Sequence, residues 1–237
     1  LNIKRGENLD QKQKKRSVTR KSSTELILSS YTRNNEEIFP LILSLYVPVG
    51  STIADVTYGK GVFWKKVNQK DYTLFFSDIK TGVDCRNLPY ENQSIDCVVL
   101  DPPYMEGFYR RNATHLAGNG TFSSFREAYS DGSIYPQKEG APKYHDAVLD
   151  MYYSAGYEAL RVLKRKGILI IKCQDEVSAN KQHLTHVEII NEYTKHNLIV
   201  EDLFVMIRNN KPNIPTLKRQ VHARKNHSYF LVFRKVG

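Results

Sequence analysis

Three short apolar runs that each give way to an aspartate constrain this chain more than any other feature. They are Thr52-Ile53-Ala54 before Asp55, residues 72–77 before Asp78, and residues 95–100 before Asp101. Runs of this length, rich in β-branched and aromatic residues and bounded by polar turns, read as buried strands. Elsewhere the period changes. Residues 147–163 carry Val148, Leu149, Tyr152, Ala155, Ala159, Leu160 and Leu163 at helical spacing, stopped by Lys164-Arg165-Lys166-Gly167. Further strands are expected at 168–173, 199–207 and 228–234, and a helix at 184–196. Two short helices are expected within 25–46, interrupted by Arg33-Asn34-Asn35 and Pro40. Another helix is expected from Val62, after the turn Thr57-Tyr58-Gly59-Lys60-Gly61. Strands alternating with helices imply an α/β domain with a mainly parallel sheet between helical layers. Such sheets bind ligands at the carboxyl ends of their strands. Asp55, Asp78, Asp84 and Asp101 all fall at or just past predicted strand ends and are expected to converge there.

The 237 residues carry a net charge of +10, which favours polyanionic partners, nucleic acid foremost. The excess is uneven. Residues 1–24 hold Lys4, Arg5, Lys12, Lys14, Lys15, Arg16, Arg20 and Lys21 against Glu7 and Asp10. With almost no apolar residues to offset ordering, this stretch reads as a flexible basic arm ahead of one domain spanning 25–237. Cys85, Cys97 and Cys173 lie far apart in or beside apolar stretches and form no C-x-x-C pair. They read as core thiols of a reducing compartment such as the cytoplasm. The histidines have no metal-ligand spacing, His183 and His186 suiting a helix surface, so no metal is expected. No apolar run approaches the roughly 20 residues of a membrane span, and the polar N-terminus has no signal-peptide pattern.

Asp101-Pro102-Pro103-Tyr104 is the most informative tetrapeptide. Two prolines fix φ near −65° and remove two backbone donors, so carbonyls face outward beside a carboxylate and an aromatic plane. That surface accepts hydrogen bonds and stacks, which matches an exocyclic amino group on a flat base. The alternative is a rigid strand exit capped by an aspartate. The long polar insert at 105–146 interleaves aromatics with basic residues, and Phe108, Tyr109, Arg110 and Arg111 are the candidates for substrate contact. A second basic segment, 211–225, suits either a nucleic-acid backbone or a solvated hairpin. Asp175, just past a strand end, is a further candidate for the pocket.

Asp101-Pro102-Pro103-Tyr104 after Cys97-Val98-Val99-Leu100, preceded by Asp55-x-x-x-Gly59-x-Gly61, resembles the amino-methyltransferases that modify exocyclic base nitrogens with S-adenosylmethionine. The motif order is like that of the gamma class of DNA enzymes, and the resemblance covers roughly 25–235. It implies a Rossmann-like methyltransferase fold with a seven-stranded sheet. It also implies that Asp55, Tyr58, Gly59 and Gly61 meet the methionine end of the cofactor, that Asp78 takes the ribose hydroxyls, and that Asp84 and Cys85 face its adenine. Asp101, Pro102, Pro103 and Tyr104 would then be catalytic. The sequence departs from the family at Thr57-Tyr58, where Pro and a hydrophobic or aromatic residue are more usual. The implied activity is methyl transfer to adenine N6, in DNA rather than RNA, with a partner subunit or homodimer left open. The rivals are an RNA base N-methyltransferase (adenine N6 or guanine N2) and a catalytically silent nucleic-acid-binding subunit.

Overall fold

The computed structural model describes residues 26–106, 125, 129, 142–208 and 220–237. In chain order the elements are β1 (Ser30–Tyr31), α1 (Asn35–Tyr46), β2 (Thr52–Asp55), β3 (Thr73–Phe76), β4 (Ile95–Leu100), α2 (His145–Val162) and β5 (Leu163–Cys173). Then come β6 (Glu176–Ser178), β7 (Lys181–His183), α3 (Thr185–Tyr193), β8 (Leu198–Ile207) and β9 (His227–Lys235). Seven strands form one sheet in the order β1-β8-β9-β5-β4-β2-β3, and β6 and β7 pair as a hairpin. Only β9 runs against its neighbours, β5 and β8. This is the mainly parallel, three-layered Rossmann-like sheet expected of the sequence.

Alternation along the strands divides the core in two. On β4 and β5, Val98, Leu100, Leu169 and Ile171 face one layer with Val148, Met151, Tyr152, Ala155 and Ala159 of α2. Cys97, Val99, Ile168 and Ile170 face the other, with Ile38, Phe39, Ile42 and Leu43 of α1 and with Phe63 and Trp64. Period two in the strands and period 3.6 in the helices thus meet across the sheet.

The structure departs from the sequence reading in several elements. Of the segment 25–46, the described residues 26–46 hold one helix, not two. Ser30–Tyr31 is instead strand, and β1 pairs Ser30 with Val205 and Tyr31 with Met206. The Asn34 N–H donates to the Glu37 carboxylate at 3.4 Å and starts α1. Pro40 lies early in α1, where it omits one backbone hydrogen bond without ending the helix. The helix expected from Val62 is a 3-10 turn over Val62–Lys66. Val62, Phe63 and Trp64 are consecutive apolar residues, a pattern that gives no helical stripe. The basic stop at 164–167 is strand: β5 begins at Leu163 and bulges, so that Ile95 opposes Leu163 while Cys97 opposes Ile168. A Cβ at Gly167 would lie 2.9 Å from the Lys164 carbonyl oxygen, so the bulge requires glycine. The helix at 184–196 stops at Tyr193. Among the described residues no helix is long and apolar enough to cross a membrane.

Candidate active site

Strand register brings the acids together. Asp55 at the end of β2 pairs with Phe76 on β3 and Val99 on β4, so Asp78 and Asp101, each two residues further on, stand at the same carboxyl edge. Asp55 is buried. Its Oδ1 accepts the Thr57 N–H at 3.1 Å and its Oδ2 the Trp64 indole N–H at 2.6 Å. Burial pushes this carboxyl up to about 7 against the pull of those two donors. Asp55 therefore anchors the glycine turn to the sheet. Gly59 and Gly61 have φ of 54° and 63°, which favours glycine. The Gly59 N–H donates to Asp78 Oδ2 at 3.0 Å, and Asp78 Oδ1 accepts the Lys80 N–H at 3.0 Å. The Tyr58 ring stacks on Phe76, centroids 4.3 Å apart. It also covers Gly61, where a Cβ would lie 2.4 Å from the Tyr58 hydroxyl.

Asp84 is held in a fork by Arg86, Nε to Oδ1 at 3.0 Å and Nη2 to Oδ2 at 2.7 Å. Burial raises its carboxyl, but the Arg86 hydrogen bonds outweigh that and hold it below the usual range. The Cys85 thiol is buried and donates toward the Tyr129 hydroxyl at 4.0 Å. Burial pushes this thiol up to about 12. Its side chain is a core group, so any ligand contact at 85 would come from the backbone.

Just past β4, the Asp101 N–H donates to Thr57 Oγ1 at 2.6 Å, which ties the Asp-Pro-Pro-Tyr segment to the glycine turn. The Tyr104 hydroxyl donates to Asp101 Oδ1 at 2.6 Å. Burial raises the Asp101 carboxyl, and the nearby Lys172 charge opposes that rise. Pro102 is buried and Pro103 half-buried beside it. Just beyond, buried Glu106 accepts the N–H of Tyr144 at the foot of α2. Phe108, Tyr109, Arg110 and Arg111 lie outside the described residues, as do the arm at 1–24 and most of the 105–146 and 211–225 segments. Phe125 and Tyr129 of the insert are described. Phe125 joins the core, and the Arg86 guanidinium lies 5.4 Å from the Tyr129 ring centroid.

A model of a family described as DNA methylase matches residues 95–237, from β4 through β9. The chain belongs to the DNA methylase family. No curated protein matches it. The solved structure of TrmN from Thermus thermophilus is similar at 11% identity and a TM-score of 0.45, covering 84% of this chain and 48% of that one. An S-adenosylmethionine-dependent methyltransferase from Methanosarcina mazei is similar at 11% identity and a TM-score of 0.43, covering 82% and 97%. The [4+2]-cyclase SpnF is similar at 12% identity and a TM-score of 0.46, covering 85% and 82%. The chain spans about half the length of the first of these.

The structure gives partners to residues that the sequence reading left without an assigned role. Trp64 is the only tryptophan. A buried indole N–H needs an acceptor, and an aspartate nine residues upstream was the available signal. Thr57 departs from the more usual proline, and both its N–H and its hydroxyl are used, toward Asp55 and Asp101. Asp175 is engaged by the His186 ring at 2.7 Å and by the Tyr229 hydroxyl at 3.2 Å. His145, His183 and Glu188 bring ligand-type atoms within 4.8 Å of one another. However, His145 Nδ1 bonds Glu176 at 2.7 Å, its Nε2 bonds Glu188, and the His183 ring packs 3.8 Å from its own. Both nitrogens are thus committed to carboxylates, and the imidazole pins the start of α2. A cleft of about 470 Å³ opens at the opposite end of the sheet, lined by Tyr46, Asp96, Arg165 and Arg234 among others. It lies away from the three aspartates.

Proposed function

We propose that this chain transfers a methyl group from S-adenosylmethionine to an exocyclic amino group of a nucleic-acid base, adenine N6 in DNA. The observation that carries the reading is Asp101 at the carboxyl edge, followed by two prolines and Tyr104 and tied through Thr57 to the glycine turn. The residues present fit the cofactor. Bare backbone at Gly59 and the partly exposed carboxylate of Asp78, each oxygen of which accepts one hydrogen bond, suit its methionine end and ribose hydroxyls, while Asp84 would meet its adenine amino group by giving up part of its hold on Arg86. Asp55 holds that turn in place, and Tyr58 packs over Gly61 to fix its curvature. When bound, the cofactor supplies an electrophilic methyl on a sulfonium.

The base nitrogen is a poor nucleophile because its lone pair is delocalised into the ring. Asp101 and the Pro102 carbonyl accept its two hydrogens, favour tetrahedral geometry and localise that pair. The methyl the cofactor would supply would pass to that pair as its bond to sulfur breaks, and Asp101 would take the proton the nitrogen then sheds. Tyr104 stacks on the base, for which its hydroxyl must release Asp101. A base in a duplex must be flipped to reach this edge, at a cost of a few kcal/mol. Phe108, Tyr109, Arg110 and Arg111 are assigned to the substrate side on residue type alone.

The test is nucleoside mass spectrometry after incubating the protein with isotope-labelled S-adenosylmethionine and DNA or RNA. Label in N6-methyldeoxyadenosine, lost in Asp101→Ala with cofactor binding retained, is expected. Label only in RNA would keep the chemistry and overturn the substrate. Absence of label with cofactor bound would reject the chain as a self-sufficient enzyme.

A further inference from the structure

Lys172 is a lysine in the core. It is 1% exposed, on β5, and strand alternation turns it toward α1 with Ile168 and Ile170. Its Nζ donates to Asn35 Oδ1 at the start of α1, 5.1 Å from the Phe230 ring centroid and 5.7 Å from that of Phe63. Among the described residues no carboxylate lies within ion-pair distance of it. The register of β4 on β5 pairs Leu100 with Ile171, so Asp101 and Lys172 come next to each other at the carboxyl edge. Asp55, Asp101 and Lys172 share the face toward α1 on three neighbouring strands, Asp101 level with Lys172 and Asp55 two residues back, opposite Val99.

An ammonium in an apolar wall is not a stability device. An unbranched apolar side chain of the same length would fill the space without desolvating a charge. The role of Lys172 must be sought in what its charge does to its neighbour. We propose that Lys172, anchored on Asn35, is a positioning residue that keeps Asp101 an anionic, acceptor-only carboxylate ready for the hydrogens of the target amino group. This rests on the role given to Asp101 above. A protonated Asp101 would present an O–H to an N–H and leave the nitrogen lone pair delocalised.

The other groups around the pair do not replace Lys172. Asp101 is faced by Asp55 from β2, whose charge repels it, by the Tyr104 hydroxyl from its own loop, and by Arg208 past β8. After burial itself, Lys172 is the largest influence on Asp101, ahead of both Tyr104 and Arg208. Lys172 is faced by Arg208, a like charge, by the Cys173 thiol and by the neutral Asn35. Burial brings its ammonium down to about 8, and Asp101 is the main influence holding it up.

The test is carboxyl and lysine side-chain NMR titration of the full chain, which needs no turnover. In Lys172→Met the Asp101 midpoint should rise by about one pH unit or more and return in Lys172→Arg. Coupling is reciprocal, so Asp101→Asn, an isosteric change, should lower the Lys172 midpoint by a similar amount. This second arm stands even if Lys172→Met fails to fold. Where methyl transfer is observed, the acid limb of kcat should move up in Lys172→Met by the same shift, with the cofactor KM held within about twofold. Uncoupled midpoints in both folded variants would overturn the proposal. Coupled midpoints in a chain that transfers no methyl group would reject the reading of function and leave the electrostatic pair standing.

Discussion

Thr57 stands where the resembling family more often has proline, and it links the two halves of the site through two hydrogen bonds that proline would not make. Its hydroxyl accepts the Asp101 N–H at 2.6 Å. Thr57→Val keeps the shape and leaves that N–H unpaired. A loss of about 1–3 kcal/mol is expected in denaturant unfolding, with a fall of about tenfold or more in turnover as Asp101 shifts from where it would accept the amino hydrogens. Asp55 gives a second prediction at this scale. Its folded-state value, raised from 3.8 to about 7, means that its contribution to stability is complete below 3.8 and lost as the pH rises through about 7. The methionine-end ammonium of the proposed cofactor, if it lies beside Asp55, would favour the charged form. Cofactor affinity by calorimetry should therefore climb as the pH rises toward 7, by up to about tenfold per pH unit, and level off above it. Asp55→Asn should flatten that profile. The motif residues were legible in sequence because each is tied to a strand end. The contacts of Trp64, Thr57 and Lys172 were not, because only folding sets the distance to Asp55, Asp101 and Asn35.

At the scale of elements, α2 and α3 meet where Gly156 admits the ring of Tyr193, whose hydroxyl donates to the Tyr152 carbonyl at 2.6 Å. A Cβ on Gly156 would lie 2.1 Å from that hydroxyl. Gly156→Ala favours an isolated helix by up to about 1 kcal/mol, yet overpacking costs about 1–3 kcal/mol. A lower Tm is expected, and pairing it with Tyr193→Phe should recover little of the loss, because the ring carbon Cζ would still lie 2.2 Å from the added Cβ. The start of α2 is held by His145 between Glu176 and Glu188. Burial disfavours the imidazolium, but the two carboxylates outweigh it and raise the ring above its ordinary 6.5. This contact stabilises fully below 6.5 and is lost as the pH rises through the raised folded value. His145→Gln should remove that part of the pH dependence of unfolding. The helices on either side of β5 were readable from period alone. The hairpin of β6 and β7 was not, because three-residue strands carry too few positions to show alternation.

For the whole molecule, if the proposed function holds, the net charge of +10 and the eight basic residues among the first 24 would make electrostatics the main lever on nucleic-acid binding. Removing residues 1–24 should lower the salt dependence of binding to a DNA duplex, each lost phosphate contact reducing the log–log slope by roughly 0.9. Fluorescence anisotropy over a salt series measures it, and an unchanged slope would take the arm out of the interface. Local pattern determined the α/β class, the two core layers and the strand ends bearing Asp55, Asp78 and Asp101, since side-chain period and turn chemistry act over a few residues. Only the tertiary structure decided that Trp64 closes on Asp55, that Thr57 joins the two motifs and that a buried lysine stands beside Asp101. These depend on strand register and on which face of the sheet each side chain takes, and both are fixed by long-range packing after the chain has folded.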